Sequence, residues 1–204
     1  MRRIPLSRRS HVTGFGSFET GLVEHESALE RDFALLAAFD DPGARIVSQP
    51  TTIRFETPAG QRRYTPDFGV IWSDGRYELV EVKYRADLRA KWSALRPGFA
   101  TARSSMRAMN GSFRIVTETA IRVPRLDNAR RLLPLRKAPL DADLAMAARA
   151  IVSRMGTPTL GETVMAMSCD RVMALGTIWR LMARGDLAFD PQLAVGFETR
   201  LGVS

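Results

Sequence analysis

Pro66-Asp67 is followed fourteen residues later by Glu81-Val82-Lys83, with Glu30 upstream. These are hard oxygen donors and one ammonium, the residue types that metal-dependent phosphodiester cleavage requires. Such cleavage needs divalent cations held by oxygens, a water made nucleophilic and help for the departing oxygen. Glu30, Asp67 and Glu81 can supply carboxylates and Val82 a backbone carbonyl. Lys83 can orient the attacking water, lower its pKa or steady the charged phosphate. Placed between metal ligands and phosphate, that lysine can also have its own pKa lowered. Lysine is scarce elsewhere: only Lys91 and Lys137 accompany it, and the remaining basic charge is arginine.

A hairpin would position the set. Asp67 to Trp72 is an apolar-rich run, Ser73-Asp74-Gly75-Arg76 is a turn signal, and Tyr77 to Lys83 is the return strand. Residues two apart on a strand share a face, so Glu81 and Lys83 project together beside Asp67. A strand-borne Glu-x-Lys alone is common on solvated sheet faces. The Pro-Asp at the head of the neighbouring strand makes it a constellation. Upstream, residues 25–39 carry apolar positions at 29, 33, 36 and 39 and read as a helix, with Glu30 one residue off that stripe. Glu26, one turn earlier, reads as a helix-start acid favoured by the macrodipole.

Glu26-Ser-Ala-Leu-Glu30-Arg-Asp-Phe33, Ser48-Gln49-Pro50, Tyr64-Thr-Pro-Asp67-Phe68 and Leu79-Val-Glu81-Val-Lys83-Tyr84 carry a resemblance. In order and spacing they resemble the TnsA family, endonuclease subunits of heteromeric cut-and-paste transposons, from about His11 to about Leu133. The resemblance implies an α/β fold: a restriction-endonuclease-like core of the PD-(D/E)xK group, a mixed sheet flanked by helices. It implies Mg²⁺ as cofactor, with Mn²⁺ able to substitute. It implies cleavage at the 5′ ends of the element while a partner transposase cuts and joins the 3′ ends. By the same resemblance Glu30, Asp67 and Glu81 bind metal, the Val82 carbonyl adds a ligand, and Lys83 is catalytic. Some members have glutamine where Glu81 stands.

Composition agrees. A net charge of +8 and a pI near 10.6 favour a polyanionic partner. From Arg85 to Arg136 there are twelve Arg/Lys against three acids, whereas from Leu140 onward there are six Arg against seven acids. Arg85, Arg89, Lys91, Arg96, Arg103 and Arg107 are therefore candidates for DNA phosphate contacts, as a cluster more than singly. A solvated arginine-rich helix face would look the same.

The domain organisation expected is an extended basic arm over 1–21, the nuclease domain over 22–133, a linker over 134–140 and a C-terminal domain over 141–204. Strands are expected near Arg45–Gln49, Thr51–Glu56 and Phe113–Thr117, a helix from Asp87 broken or offset at Pro97-Gly98, and a short helix from Asp127. Beyond the linker, helices over 143–155, 160–167 and 170–183 precede a short strand in 185–190. This order suits the small winged helix that the family's C-terminal domain implies. Its third helix has few basic residues, which favours docking to protein (the transposase and an AAA+ regulator of target selection) over binding DNA.

Other chemistries lack residues. Cys169 is alone, which excludes an intramolecular disulfide and a Cys-rich zinc site. His11 and His25 lack metal-ligand spacing; they read as an arm residue and a helix-start residue. There is no phosphate-cradling glycine loop, hence no nucleotide cofactor, and no nucleophile elbow. No apolar core follows the basic start and no stretch is long enough to span a membrane, so a cytoplasmic, nucleoid-associated bacterial protein is expected. Two other readings stay open. One is a stand-alone nuclease of the same fold in repair or phage defence; the other is a DNA-binding scaffold subunit whose acids are structural.

Overall fold

The computed structural model describes residues 14–18, 21–58 and 60–204. Arg2, Arg3, Arg8, Arg9 and His11 of the expected arm lie outside the described residues. The chain divides into two compact units, Met1–Arg122 and Val123–Ser204.

The first unit opens with an antiparallel hairpin, β1 (Gly14–Phe18) and β2 (Gly21–His25), so part of the expected arm is strand. His25 ends β2 and is buried there; it does not begin a helix. Helix α1 (Ala28–Asp40) follows, capped by the Ser27 hydroxyl, which accepts from the Glu30 N–H at 3.2 Å. Then come β3 (Arg45–Ser48), a separate two-stranded ribbon of β4 (Ile53–Thr57) and β5 (Gly60–Tyr64), and the strands β6 (Phe68–Ile71) and β7 (Tyr77–Val82). Helix α2 (Arg85–Ala108), strand β8 (Ser112–Val116) and the short α3 (Glu118–Ile121) complete the unit.

The central sheet has the order β3-β6-β7-β8, antiparallel except for the parallel pair β7 and β8. Strand alternation assigns its two faces. Phe68 pairs with Val80, and Phe33 of α1 stacks on Phe68 at 5.4 Å between centroids, so α1 covers that face. Leu79 pairs with Phe113, and Phe99 of α2 meets Phe113 at 5.6 Å, so α2 covers the other. Asp67, one residue before Phe68, and Glu81, two after Leu79, belong to the α2 face.

Helix α2 runs unbroken for 24 residues through Pro97, where a break or offset is expected from the sequence. A proline removes one ladder bond and crowds the preceding turn. Here the segment after it is held by packing: Gly98, Phe99, Ala102 and Met106 are all buried. Gly98 lets the helix approach Tyr64, for a Cβ there would stand 3.0 Å from the Tyr64 ring.

The second unit starts at α4 (Pro124–Leu132), with proline in the first turn where its missing N–H costs nothing. Helices α5 (Ala142–Met155), α6 (Leu160–Ala166) and α7 (Arg171–Arg184) follow, then the antiparallel pair β9 (Leu187–Ala188) and β10 (Gly202–Val203). The boundary therefore falls before α4, and not at 134–140. Asn128 of α4 is buried and donates to the carbonyls of Pro191 and Leu193 at 3.0 and 2.8 Å, while accepting from Val195 N–H at 3.0 Å. The stretch expected to be a linker is pinned to α7. Arg136 Nε donates to Ala183 O at 2.9 Å, and Arg184 Nη2 donates to Ala138 O at 2.6 Å. No helix among the described residues is long and apolar enough to cross a membrane.

Candidate active site

Strand β6 begins directly after Asp67, and β7 ends at Val82, so the pairing of these two strands brings Asp67 to the end of the Glu81-Val82-Lys83 segment. Asp67 Oδ2 accepts from Val82 N–H at 2.8 Å and from Lys83 Nζ at 3.3 Å. Lys83 Nζ also lies 3.0 Å from Glu81 Oε1. The ammonium is thus shared by two carboxylates. Lys83 N–H donates to Val116 O at 3.0 Å, continuing the β7–β8 ladder and fixing the base of the lysine.

Burial is graded across the three side chains: Glu81 is 3% exposed, Asp67 16% and Lys83 31%. Burial pushes the Glu81 carboxyl up to about 7, assisted by the negative charge of Asp67 and opposed by Lys83 and the Tyr64 hydroxyl. Asp67 is also raised by burial, against the Lys83 charge and the Val82 N–H. For Lys83, burial pulls the pKa down, yet the charges of Asp67 and Glu81 and their hydrogen bonds outweigh it and raise the ammonium. Two anions flank the group, and their attraction exceeds its desolvation.

Glu30 behaves differently. It sits at the third position of α1, where its Oε2 accepts from Glu26 N–H at 2.7 Å and its Oε1 from the Ser27 hydroxyl at 2.9 Å. Its carboxyl is raised by burial and then by the Asp67 charge, with Lys83 among the groups pulling it back. Glu30 therefore lies within electrostatic reach of the pair while both its oxygens serve the start of its own helix. Among the described residues no three His, Cys, Asp or Glu side chains are gathered as a ready cluster for a metal ion. The donor set still suits a hard divalent cation: a buried and a half-buried carboxylate, both of raised pKa, face one ammonium, and positive charge placed there would offset the cost of their burial.

Two residues were not assigned a role from the sequence, although both lie inside the quoted motifs. Tyr64 donates its hydroxyl to Glu81 Oε2 at 2.6 Å, and its ring meets Phe99 and Phe113 edge-on. Gln49 follows β3 in the left-handed region, at φ +46°. Its backbone N–H donates to Asp67 O at 2.8 Å, and its Nε2 donates to Glu26 Oε1 at 2.9 Å. The Gln49 Oε1 atom is buried without a hydrogen-bond partner among the described residues. Glu26, held by this amide, is close enough for its charge to raise Asp67, so it is more than a helix-start acid.

All six basic candidates of the α2 segment are on α2 and exposed. At about 100° per residue, Arg85, Arg89, Arg96, Arg103 and Arg107 fall within a stripe roughly 40° wide, with Lys91 about 120° away. Lys91 pairs with Asp87 at 3.6 Å, while none of the five arginines makes a salt bridge among the described residues. The structure thus separates Lys91 from the other five.

The mixed α/β sheet flanked by helices, with an Asp and a Glu-x-Lys at its strand ends, fits a restriction-endonuclease-like core. Residues 44–118, from the start of β3 to the start of α3, match the family model described as TnsA-like endonuclease N terminal. Residues 44–118 are therefore similar to the N-terminal endonuclease domain of the TnsA family, a match that supports a nuclease of the transposase type. No curated relative matches the chain.

Proposed function

We propose that this protein is the metal-dependent DNA endonuclease subunit of a heteromeric transposase, hydrolysing phosphodiester bonds at the 5′ ends of the transposon. The observation that carries the reading is the placement of Lys83 Nζ between Asp67 Oδ2 and Glu81 Oε1, at 3.3 and 3.0 Å, inside the segment that matches the endonuclease family.

In this reading Asp67, Glu81 and the Val82 carbonyl would hold Mg²⁺, or Mn²⁺ in its place, and Glu30 would complete a second position. When bound, the cation would polarise the scissile phosphate and offset charge that builds up in the transition state. An ammonium flanked by carboxylates is a hydrogen-bond donor, so Lys83 orients the attacking water or a phosphate oxygen. Tyr64 holds Glu81 with its lone pairs directed, and Gln49 holds the Glu26 carboxylate beside Asp67. The water oxygen bonds to phosphorus as it gives up a proton to solvent, the bond to the leaving oxygen breaks with inversion, and the leaving oxygen takes a proton from solvent.

The arginine stripe of α2 begins two residues after Lys83 and offers phosphate contacts leading away from the site. In the second unit, α5 to α7 followed by the β9–β10 pair, with a bridge between Thr159 and Arg200, suit a winged-helix-like docking module. Arg184 in its α7 is spent on the carbonyls of Arg136 and Ala138, leaving Arg171 and Arg180 as the other basic residues of that helix. This supports docking to the transposase or to an AAA+ regulator in preference to DNA.

The test is an excision assay with the partner transposase supplied and both strands mapped at the transposon ends. Asp67→Ala should abolish the 5′ cuts and leave the 3′ cuts; persistent 5′ cleavage in that variant would remove the assignment.

A further inference from the structure

The β4–β5 ribbon is a sheet of its own, and its sequence is poorly explained by stability. Arg54 lies directly across from Arg63, and Phe55 across from Arg62. Opposed residues of an antiparallel pair have Cβ atoms roughly 5 Å apart, and like charges at that distance are destabilising. Alternation puts Arg54, Arg63 and Glu56 on one face and Arg62 on the other, beside Phe55. All four charged residues are exposed. None of the three arginines makes a salt bridge among the described residues, Glu56 included. The ribbon carries three positive charges (Arg54, Arg62, Arg63) against one negative (Glu56), and no described residue is ion-paired with the three arginines.

The root of the ribbon is fixed to the active site. Tyr64, the last residue of β5, hydrogen-bonds Glu81 at 2.6 Å, and its ring lies against Gly98 and Phe99 of α2. Just outside the ribbon, the hydroxyls of Thr52 and Thr65 meet at 2.8 Å across its two ends. Arg63 is thus one residue from a side chain that touches Glu81. The occupant that matches unrelieved arginines, on a two-stranded ribbon beside a nuclease site, is a polyanion of duplex dimensions. A two-stranded ribbon fits the DNA major groove, which is roughly 12 Å wide.

We propose that the β4–β5 ribbon is a DNA-gripping element that lies against the duplex next to the scissile phosphate, with Arg54 and Arg63 contacting phosphates. The proposal rests on the nuclease reading and deepens it: DNA is clasped by the ribbon as well as along α2. The cost of the like-charge pair in the free protein is recovered when phosphates neutralise it.

The experiment is fluorescence anisotropy of a labelled duplex with the full-length protein in chelator, so that no strand is cut. It compares the wild type with Arg54→Ala/Arg63→Ala over a range of salt. The double variant should bind more weakly, with a slope of log affinity against log salt shallower by about 2, since each phosphate contact contributes roughly 0.9. Its melting temperature should be unchanged or raised, because a repulsive pair has gone. Lys91→Ala, off the α2 stripe, should leave the slope unaltered. Equal affinity and slope in wild type and double variant would overturn the ribbon proposal and leave the nuclease reading standing. Loss of duplex binding by the wild type itself would overturn both. Weaker binding without any change in slope would show that the arginines meet no phosphate, and would overturn it too.

Discussion

The Tyr64 hydroxyl and the Glu81 carboxylate are joined by a 2.6 Å hydrogen bond. It links the root of an exposed arginine ribbon to the most deeply buried acid of the candidate site, and it is one of the forces holding that acid's pKa down against burial. Tyr64→Phe keeps the ring contacts and removes only the donor. Glu81 should then titrate above its present value of about 7. The acid limb of the cleavage pH profile should move to higher pH, with activity largely recovered there and the melting temperature little changed. A limb that stays in place would show that the hydroxyl does not govern Glu81.

The raised carboxylates make a statement about stability. Glu81 has a folded pKa of about 7 against an ordinary value of 4.5. The folded state therefore binds its proton more tightly than the unfolded chain does. The contribution is present in full below about pH 4.5 and is lost as pH rises through about 7. In chelator, the melting temperature of the wild type relative to Glu81→Gln should fall across that window and then level off. A difference that is flat, or that grows with pH, would contradict the burial account. Added Mg²⁺ should restore the wild type at neutral pH and leave the variant nearly unaffected.

Gln49 has a backbone that favours glycine and a side chain that does not. At φ +46° a Cβ is strained, so Gln49→Gly should cost little stability or add some. It should nevertheless reduce cleavage, because the tether from Nε2 to Glu26 Oε1 is gone. Gln49→Asn, which keeps the amide and tolerates the left-handed region, should recover part of the activity. Full activity in the glycine variant would confine Gln49 to shaping the turn before β4.

Much of the nuclease unit was legible because its signals are local. Apolar runs separated by Ser73-Asp74-Gly75-Arg76 announce β6 and β7, and strand parity alone puts Glu81 and Lys83 on one face. Other features depend on contacts that no local pattern carries. Strand β5, Gly-Gln-Arg-Arg-Tyr, has no apolar alternation and exists through its pairing with β4. Pro97 reads as a helix break or offset, yet the burial of Gly98, Phe99, Ala102 and Met106 keeps α2 continuous. The capping of α1 by Glu30 was implicit in Ser27-x-x-Glu30, but the same residue also matched the family's metal acid, and the spacing could not separate the two roles. The proline-flanked segment 134–139 reads as a linker because its anchors, Ala183 and Arg184, come more than forty residues later.

The central claim is that Asp67 and Glu81 form a divalent-metal site completed by DNA phosphate. Calorimetric titration of Mn²⁺ into the protein with a short duplex present tests it most directly, compared between wild type and Asp67→Ala. Saturable binding by the wild type, lost in the variant while its fold and melting curve are retained, is the predicted result. Absence of binding in both proteins, or equal binding in both, would contradict the claim.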